Sequence, residues 1–456
     1  MEMNEKQRSR LAGIVLSIIL IIVGTWGQIQ GKSTKNDITE PEYISLYNTI
    51  LQHIKADYVE PVDSKELWLG AIKGMLAATN DEHTMYLDKD EFSDLETATK
   101  GDFGGLGIEI AMRDSILTVV TPMIDTPAMR AGLKPGDKIV EIEGKSTKDL
   151  SLRDAVNMLR GVPGTAVNIS IAREGEEDLI KLDIVREIIK ITIVESGIIE
   201  KHNIGYIKLK QFAGPAPMDM ANAIRDLEEK KVKGLILDLR WNPGGLLTAA
   251  VDIANFFIKD GIIVSARGRH KELDKIEYAD PRKAIAGDLP LVILVNEGSA
   301  SASEIVTGAI KDHKRGIIVG TKTFGKGSVQ SVIRLDYNTG LKMTIQKYYT
   351  PSGESIHKKG IMPNVVVKPY EFTKEERRHF RDLSDAKVLG TFVKENKEYN
   401  EESVKKFKKL LNDKGLALSD YASRYVLKQE IHNIGKRPLY DLELDTQLIK
   451  AIEQVK

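Results

Sequence analysis

The segment NEGSASASEIVTGAIKDHKRGIIVGTKTFGKGSVQ, residues 296–330, holds the side chains best suited to chemistry. An apolar strand pattern, LVILVN, runs into a helical pattern, SASEIVTGAIKDH, so a serine at their junction stands at a helix N-terminus. Unpaired N–H groups and the helix macrodipole favour developing negative charge there. Ser301 is then placed as a nucleophile, with the adjacent amide of Ala302 as an oxyanion donor. Taken alone, Ser299, Ser301 and Ser303 read equally well as N-caps and small residues at a tight junction. Lys326 lies in the glycine-flanked turn TFGKG after the next strand pattern. A lysine acts as general base only if desolvation lowers its pKa from about 10.4 toward neutrality. Gln330, four residues on, could turn its amide toward the lysine amine.

Several elements must hold these residues in place. Apolar positions recur at helical spacing from Glu40 to Thr97, including Ile44, Tyr47, Ile50, Leu51 and Ile54, which predicts a helical region over 34–98. Short alternating runs punctuated by glycine follow, with one helical stretch, SLRDAVNMLRG, and predict a compact β-rich module over 99–188. Beyond it GLILDLR, LVILVN and GIIVG alternate with helical patterns, which implies βαβ units and a largely parallel sheet over 189–370. The tail, 371–456, is charged and helical in period. Its Leu444, Leu448, Ile452 and Val455 share a face that needs a partner, either this core or a second subunit.

The N-terminus, 1–33, carries Lys6, Arg8 and Arg10 before an uncharged run from Leu11 to Gly27. That pattern is a signal peptide or a signal anchor. At about 1.5 Å per residue the run spans about 25 Å, slightly short of a ~30 Å hydrocarbon core, and the absence of an A-x-A site favours an anchor. The expectation is one membrane segment with everything after it exported.

Composition narrows the function classes. Lys and Arg together number 66, as do Asp and Glu, and this zero net charge gives no footprint for nucleic acid. Cysteine is absent, which removes disulfides, thiolate catalysis and zinc–sulfur sites. The 8 histidines lack ligand spacing, so neither metal nor cofactor is expected.

The motifs together resemble the carboxyl-terminal processing (tail-specific) proteases, through SASASEI from Ser299 and GTKTFGKGSVQ from Gly320. DEHTMYLDKDEF (81–92), GDFGGLGIEI (101–110), LDLRWNPGG (237–245) and YYTPSGESIHKKGIMPNVVV (348–367) extend the likeness over most of the chain. The resemblance implies Ser301 as nucleophile, Lys326 as general base, Gln330 as the lysine's support, and Gly244 of the Asn-Pro-Gly-Gly turn as second oxyanion donor beside Ala302. It implies an α/β protease core of the crotonase and caseinolytic-protease type, an inserted PDZ-like β-rich domain and helical N- and C-terminal regions. Gly105, Leu106, Gly107 and Ile108 look like the PDZ carboxylate-binding loop, and SLRDAVNMLRG would form the other groove wall, with Leu152, Val156 and Leu159 either lining it or serving as core. Arg160, ending that helix, is a candidate for coupling peptide binding to the protease domain.

The implied substrates are extracytoplasmic proteins or peptides with accessible, often apolar C-termini, and a homodimer or a regulatory partner is open. Glu82, Trp241 and His357 depart from the commonest family pattern, which bears on local packing and specificity. Two other readings stand beside this one: a catalytically silent PDZ-containing scaffold, and a crotonase-like enzyme acting on thioesters.

Overall fold

The computed structural model describes residues 38–385, 388–434 and 437–455. The chain divides into two compact units, one ending at Asn80 and one running from Asp81. The run from Leu11 to Gly27 lies outside the described residues, and among the described residues no helix is long and apolar enough to cross a membrane.

The first unit contains α1 (Glu40–Asp57) and α2 (Ser64–Ala77). Glu42 closes a capping box on Thr39 N–H at 2.7 Å, and Asp63 accepts from Lys65 N–H at 2.8 Å. Of the predicted apolar stripe on α1 only Leu51 is buried; Ile44 and Ile50 are 58% and 50% exposed.

The expected helical region 34–98 is not one piece. After Asn80 the chain passes into the larger unit, because Met85–Leu87 is a strand, β1, followed by α3 (Lys89–Lys100). Three residues are too few to show a period in the sequence, which is why the boundary was not legible there.

The β-rich module comprises β2 (Asp102–Gly105), β3 (Ile108–Arg113), β4 (Ile116–Pro122), α4 (Pro127–Arg130), β5 (Lys138–Ile142), β6 (Lys145–Ser146), α5 (Leu152–Leu159), β7 (Ala166–Ala172), β8 (Ile180–Val185) and β9 (Glu187–Lys190). Its sheet runs in the order β3-β4-β5-β7-β8, all antiparallel, and β2 pairs with β9 to close the base. Leu117, Val119, Ile139, Ile142, Val167, Ile169 and Ile171 alternate inward to form its core.

The third part is built from β10 (Val194–Ile199), β11 (Ile204–Leu209), α6 (Ala216–Glu229), β12 (Leu235–Asp238), α7 (Leu247–Asn255), β13 (Ile262–Gly268), β14 (Lys275–Tyr278), β15 (Leu291–Val295), α8 (Ala302–Asp312), β16 (Ile317–Gly320), β17 (Ser328–Arg334), β18 (Gly340–Tyr349) and β19 (Val365–Val366). A six-stranded sheet in the order β10-β11-β12-β15-β16-β19 is parallel except at β10. Both its faces are covered, so β15 is apolar throughout and β12 is apolar up to its last residue, Asp238. Leu235, Leu237, Ile293 and Val295 meet Ile224, Ile253 and Ile305 of α6, α7 and α8. Ile236, Val292 and Leu294 point the other way.

That second face is covered by the chain's own tail. After α9 (Lys374–Asp385), α10 (Val388–Glu395), α11 (Glu401–Asp413) and α12 (Asp420–Ile434), the helix α13 (Thr446–Gln454) lays Leu448 and Ala451, both fully buried, on Val292, Leu294 and Val319. The apolar face at 444–455 therefore has its partner in this core. A second sheet, β1-β18-β13-β14 with β17 paired to β18, flanks the parallel one. The fold is an α/β core with an inserted β-rich module and helical ends. Its central strands β12 and β15 end side by side, as parallel strands at a ligand-binding edge do.

Candidate active site

Ser301 is the N-cap of α8, 7% exposed, with φ 54° and ψ −112°. A non-glycine residue there is strained by about 1–3 kcal/mol, and the surrounding bonds must hold it. Asn242, fully buried, supplies much of that hold: its carbonyl accepts Ala300 N–H at 3.0 Å and Ser303 Oγ at 2.9 Å, and its Nδ2 donates to Leu209 O at 2.8 Å. Ser299 Oγ donates to Leu239 O at 2.8 Å. Ser299 and Ser303 thus use their hydroxyls on backbone carbonyls, whereas Ser301 is the helix N-cap.

Ala302 N–H, the first amide of α8, has no hydrogen-bond partner among the described residues, which leaves it able to donate to a ligand atom. Gly244 behaves otherwise. Its N–H donates to Asn242 Oδ1 at 2.9 Å, so the turn's own side chain occupies the donor expected at that position. Gly244 is needed for space: a Cβ there would fall 2.8 Å from Ser301 Cβ and 2.9 Å from Ala302 N. Trp241, preceding this turn, has φ 61°, which explains why glycine suits the position; its ring is 70% exposed.

Glu304 joins the two halves of the site. It is fully buried, and Oε2 accepts Ser301 N–H at 2.9 Å and Lys326 N–H at 2.8 Å. Oε1 accepts Thr323 Oγ1 at 2.6 Å and Gly325 N–H at 2.8 Å. One carboxylate oxygen therefore holds the backbone of both the serine and the lysine. Burial pushes the Glu304 carboxyl upward, opposed by those four hydrogen bonds, all of which favour the charged form. Its sequence signal is the Ser-x-x-Glu spacing of a capping box.

Lys326 is half-buried, and its Nζ has no hydrogen-bond or ionic partner among the described residues. Burial is the main cause lowering its pKa, the Lys342 ammonium adds to it, and Asp81 and Glu304 oppose it. A lysine so placed is closer to a neutral amine than a surface lysine. His83 is held low by burial and then by Lys326, so it faces the same cluster. The Gln330 amide does not engage Lys326 in this structure: Nε2 donates to Ser328 Oγ at 2.8 Å and Thr344 Oγ1 at 3.2 Å. Asn242, Glu304, Lys342, Asp81 and His83 complete the surroundings that the sequence motif did not single out.

Lys342 allows a pH test. Lys342→Met removes a charge that disfavours the Lys326 ammonium, so Lys326 binds its proton more tightly. The acid limb of kcat/KM for peptide cleavage should move to higher pH; a limb unmoved or moved downward would exclude Lys326 as the titrating group.

In the β-rich module Gly105, Leu106, Gly107 and Ile108 line a cavity of about 200 Å³ together with Val156, Leu159 and Arg160. Leu106 and Gly107 donate no hydrogen bond among the described residues, which leaves two amides for a carboxylate. Leu159 is 4% exposed and so is core as well as wall, whereas Leu152 stands outside the lining and is 39% exposed. Arg160 stacks over Phe103 at 4.8 Å and donates to Asp94 Oδ1 of α3 at 3.1 Å. That helix in turn meets the core, where Phe92 packs on Gly340 and Glu96 pairs with Arg334.

Comparison with known proteins bears on this arrangement. The description "Peptidase family S41" matches residues 203–367, "PDZ domain" matches 118–173, and "Activating protease CtpB N-terminal domain" matches 26–91. The carboxy-terminal-processing protease of Bartonella bacilliformis is 41% identical over 362 residues, covering 78% of this chain and 81% of that one. Carboxy-terminal processing protease CtpA of Bacillus subtilis is 32% identical over 468 residues, covering 98% and 97%. The solved photosystem II D1 C-terminal processing protease is 30% identical, covering 72% of this chain and 92% of that one with a TM-score of 0.42. With a strained serine at a helix N-cap, a desolvated lysine tied to it through Glu304, and near full-length identity of this order, the chain belongs to the carboxy-terminal processing proteases, serine peptidases of family S41.

Proposed function

We propose that this peptidase cleaves exported proteins and peptides whose free C-termini are captured by the β-rich module, with Ser301 as nucleophile and Lys326 as general base. The observation that carries the reading is the single Glu304 oxygen bonded to the amides of both residues. Neutral Lys326 takes the Ser301 proton, the serine oxygen attacks a peptide carbonyl, and the Ala302 amide stabilises the oxyanion. The protonated lysine then gives its proton to the leaving amine, and water activated by the regenerated amine hydrolyses the acyl-enzyme.

Capture of the substrate tail is supported by the unpaired amides of Leu106 and Gly107 above an apolar cavity, and Arg160 adds a cation at its rim. Coupling of that groove to the catalytic strands would run from Arg160 through α3 to Arg334 of β17. The membrane-tethered, exported placement rests on the basic flank and apolar run at 6–27.

The test incubates the full chain with an unfolded protein ending in an apolar residue and follows the products by mass spectrometry, with Ser301→Ala as control. Ser301→Ala should leave the substrate intact, and amidating the substrate's C-terminus should raise KM about tenfold by removing the charge that the loop amides bind. Cleavage by Ser301→Ala would overturn the nucleophile; an unchanged KM would overturn the capture mode alone.

A further inference from the structure

Arg240 stands between the end of β12 and the turn that carries Asn242, and two carboxylates share its guanidinium. Nε donates to Asp238 Oδ1 at 3.0 Å and Nη2 to Asp238 Oδ2 at 2.6 Å. Nη1 and Nη2 donate to Asp445 Oδ1 and Oδ2 at 2.8 Å and 2.7 Å, a bidentate pair. Asp238 is fully buried and held within its own sheet by Tyr206 Oη at 2.6 Å, and it lies two residues before Arg240, so it cannot fix the arginine against another layer. Asp445 can. It is the N-cap of α13, where it accepts Leu448 N–H at 3.0 Å, and that helix is seated on the sheet by Leu448 and Ala451.

Gln447, buried in the first turn of α13, touches both arms of the site. Its Oε1 accepts Arg240 Nη1 at 3.1 Å and its Nε2 donates to Val367 O at 2.8 Å. A guanidinium only donates and a carbonyl only accepts, so one orientation of the amide satisfies both. Val367 N–H donates to Gly320 O at 2.8 Å, and Gly320 ends β16, from which the chain passes into the Thr323–Lys326 loop. On the other arm Arg240 is followed by Trp241, whose N–H donates to Asn296 Oδ1 at 2.9 Å, and by Asn242, whose carbonyl holds Ala300 N–H and Ser303 Oγ on either side of Ser301. Glu304 ties the serine to the lysine from within the site; the start of α13 ties the strand ends that lead to them.

We infer that Asp445 and Gln447 are positioning residues for catalysis: by holding Arg240 against Val367 and the end of β16 they fix the spacing of the strand ends that deliver Ser301 and Lys326. The inference rests on the Ser301–Lys326 reading of the site. The chain's last helix is then part of the catalytic frame as well as a cover for the sheet. Reacting groups misplaced by about 1 Å lose about a hundredfold in rate, so a partial slackening of this frame should show in kcat.

The experiment measures kcat and KM of the full chain on one peptide substrate, at a temperature well below each variant's unfolding transition. Gln447→Met keeps the volume and removes both bonds; kcat should fall about tenfold with KM unchanged. Asp445→Asn keeps the helix cap but leaves one acceptor for two guanidinium nitrogens, and should also lower kcat with KM unchanged. Arg240→Lys keeps a cation beside Asp238, but one ammonium cannot span Asp238, Asp445 and Gln447 together, and kcat should fall about tenfold. Because Asp445 acts through Arg240, adding Asp445→Asn to Arg240→Lys should cost nothing further. A merely structural tail would lower the melting temperature of these variants and leave kcat alone. An unchanged kcat in both Gln447→Met and Asp445→Asn, or losses that multiply when Arg240→Lys and Asp445→Asn are combined, would overturn the inference while Ser301→Ala stays inert. Cleavage by Ser301→Ala would instead remove the dyad on which it rests.

Discussion

Lys326→Met is expected to stop peptide cleavage, by at least about a thousandfold in kcat/KM, and to raise the melting temperature in the same preparation. The activity loss follows from the mechanism, since methionine occupies the same volume and cannot take the Ser301 proton. The stability gain follows from linkage. Lys326 is held below its ordinary pKa, mainly by burial, so the unfolded chain binds its proton more tightly than the folded one. The group therefore destabilises the fold, fully at pH values below its folded pKa, and the penalty fades as pH rises toward the unfolded value near 10.4. Methionine removes it, and a rise of about 2 °C at neutral pH that vanishes at strongly alkaline pH is the expected signature. Calorimetry at two pH values beside the kinetic assay checks both halves. A variant that is inactive and less stable at neutral pH would mean that the lysine is a structural ion partner and not a desolvated base.

Of the positions that motif spacing picks out, the 105–108 loop lines a cavity and Ser301 and Lys326 are bonded through their amides to one Glu304 oxygen, and the βαβ order of the core follows from runs such as LILD and LVILV. Spacing cannot report which polar groups are already engaged. Gly244 has the right place beside Ser301, yet its amide is taken by Asn242, two residues earlier in the same turn. Gln330 has the right interval from Lys326, yet its amide nitrogen faces the neighbouring strand. Glu304 reads in sequence as an ordinary helix-capping carboxylate, an exposed role; that it is fully buried with four donors depends on the Thr323–Lys326 loop folding over it. Thr84 and Thr344 are still less visible, because their contact crosses 260 residues and lies beside a three-residue strand with no period of its own. Trp241 is the opposite case: it departs from the pattern in the sequence itself, and its positive φ gives the departure a physical meaning.

Glu304→Gln is the sharpest test of how the serine and lysine are held together, because it changes one acceptor and no volume. Each carboxylate oxygen receives two donors, and three of the four are backbone amides that cannot reverse. A glutamine oxygen can serve only one of those pairs. The NH2 end must face the other, against Ser301 and Lys326 amides in one orientation or against the Gly325 amide in the other. The second orientation is the less unfavourable, since the Thr323 hydroxyl can rotate to accept, but it still leaves Gly325 N–H buried opposite a donor. The expected loss is about 2 kcal/mol of stability. Because the Gly325 turn carries Lys326, its displacement also moves the base relative to a strained nucleophile, and kcat should fall about a hundredfold with KM little changed. Glu304→Ala, which leaves all four donors without an acceptor, should unfold at markedly lower denaturant than Glu304→Gln. If Glu304→Gln matched the parent in both kcat and stability, the shared carboxylate would not be what aligns Ser301 with Lys326, and the alignment would have to come from the sheet edges alone.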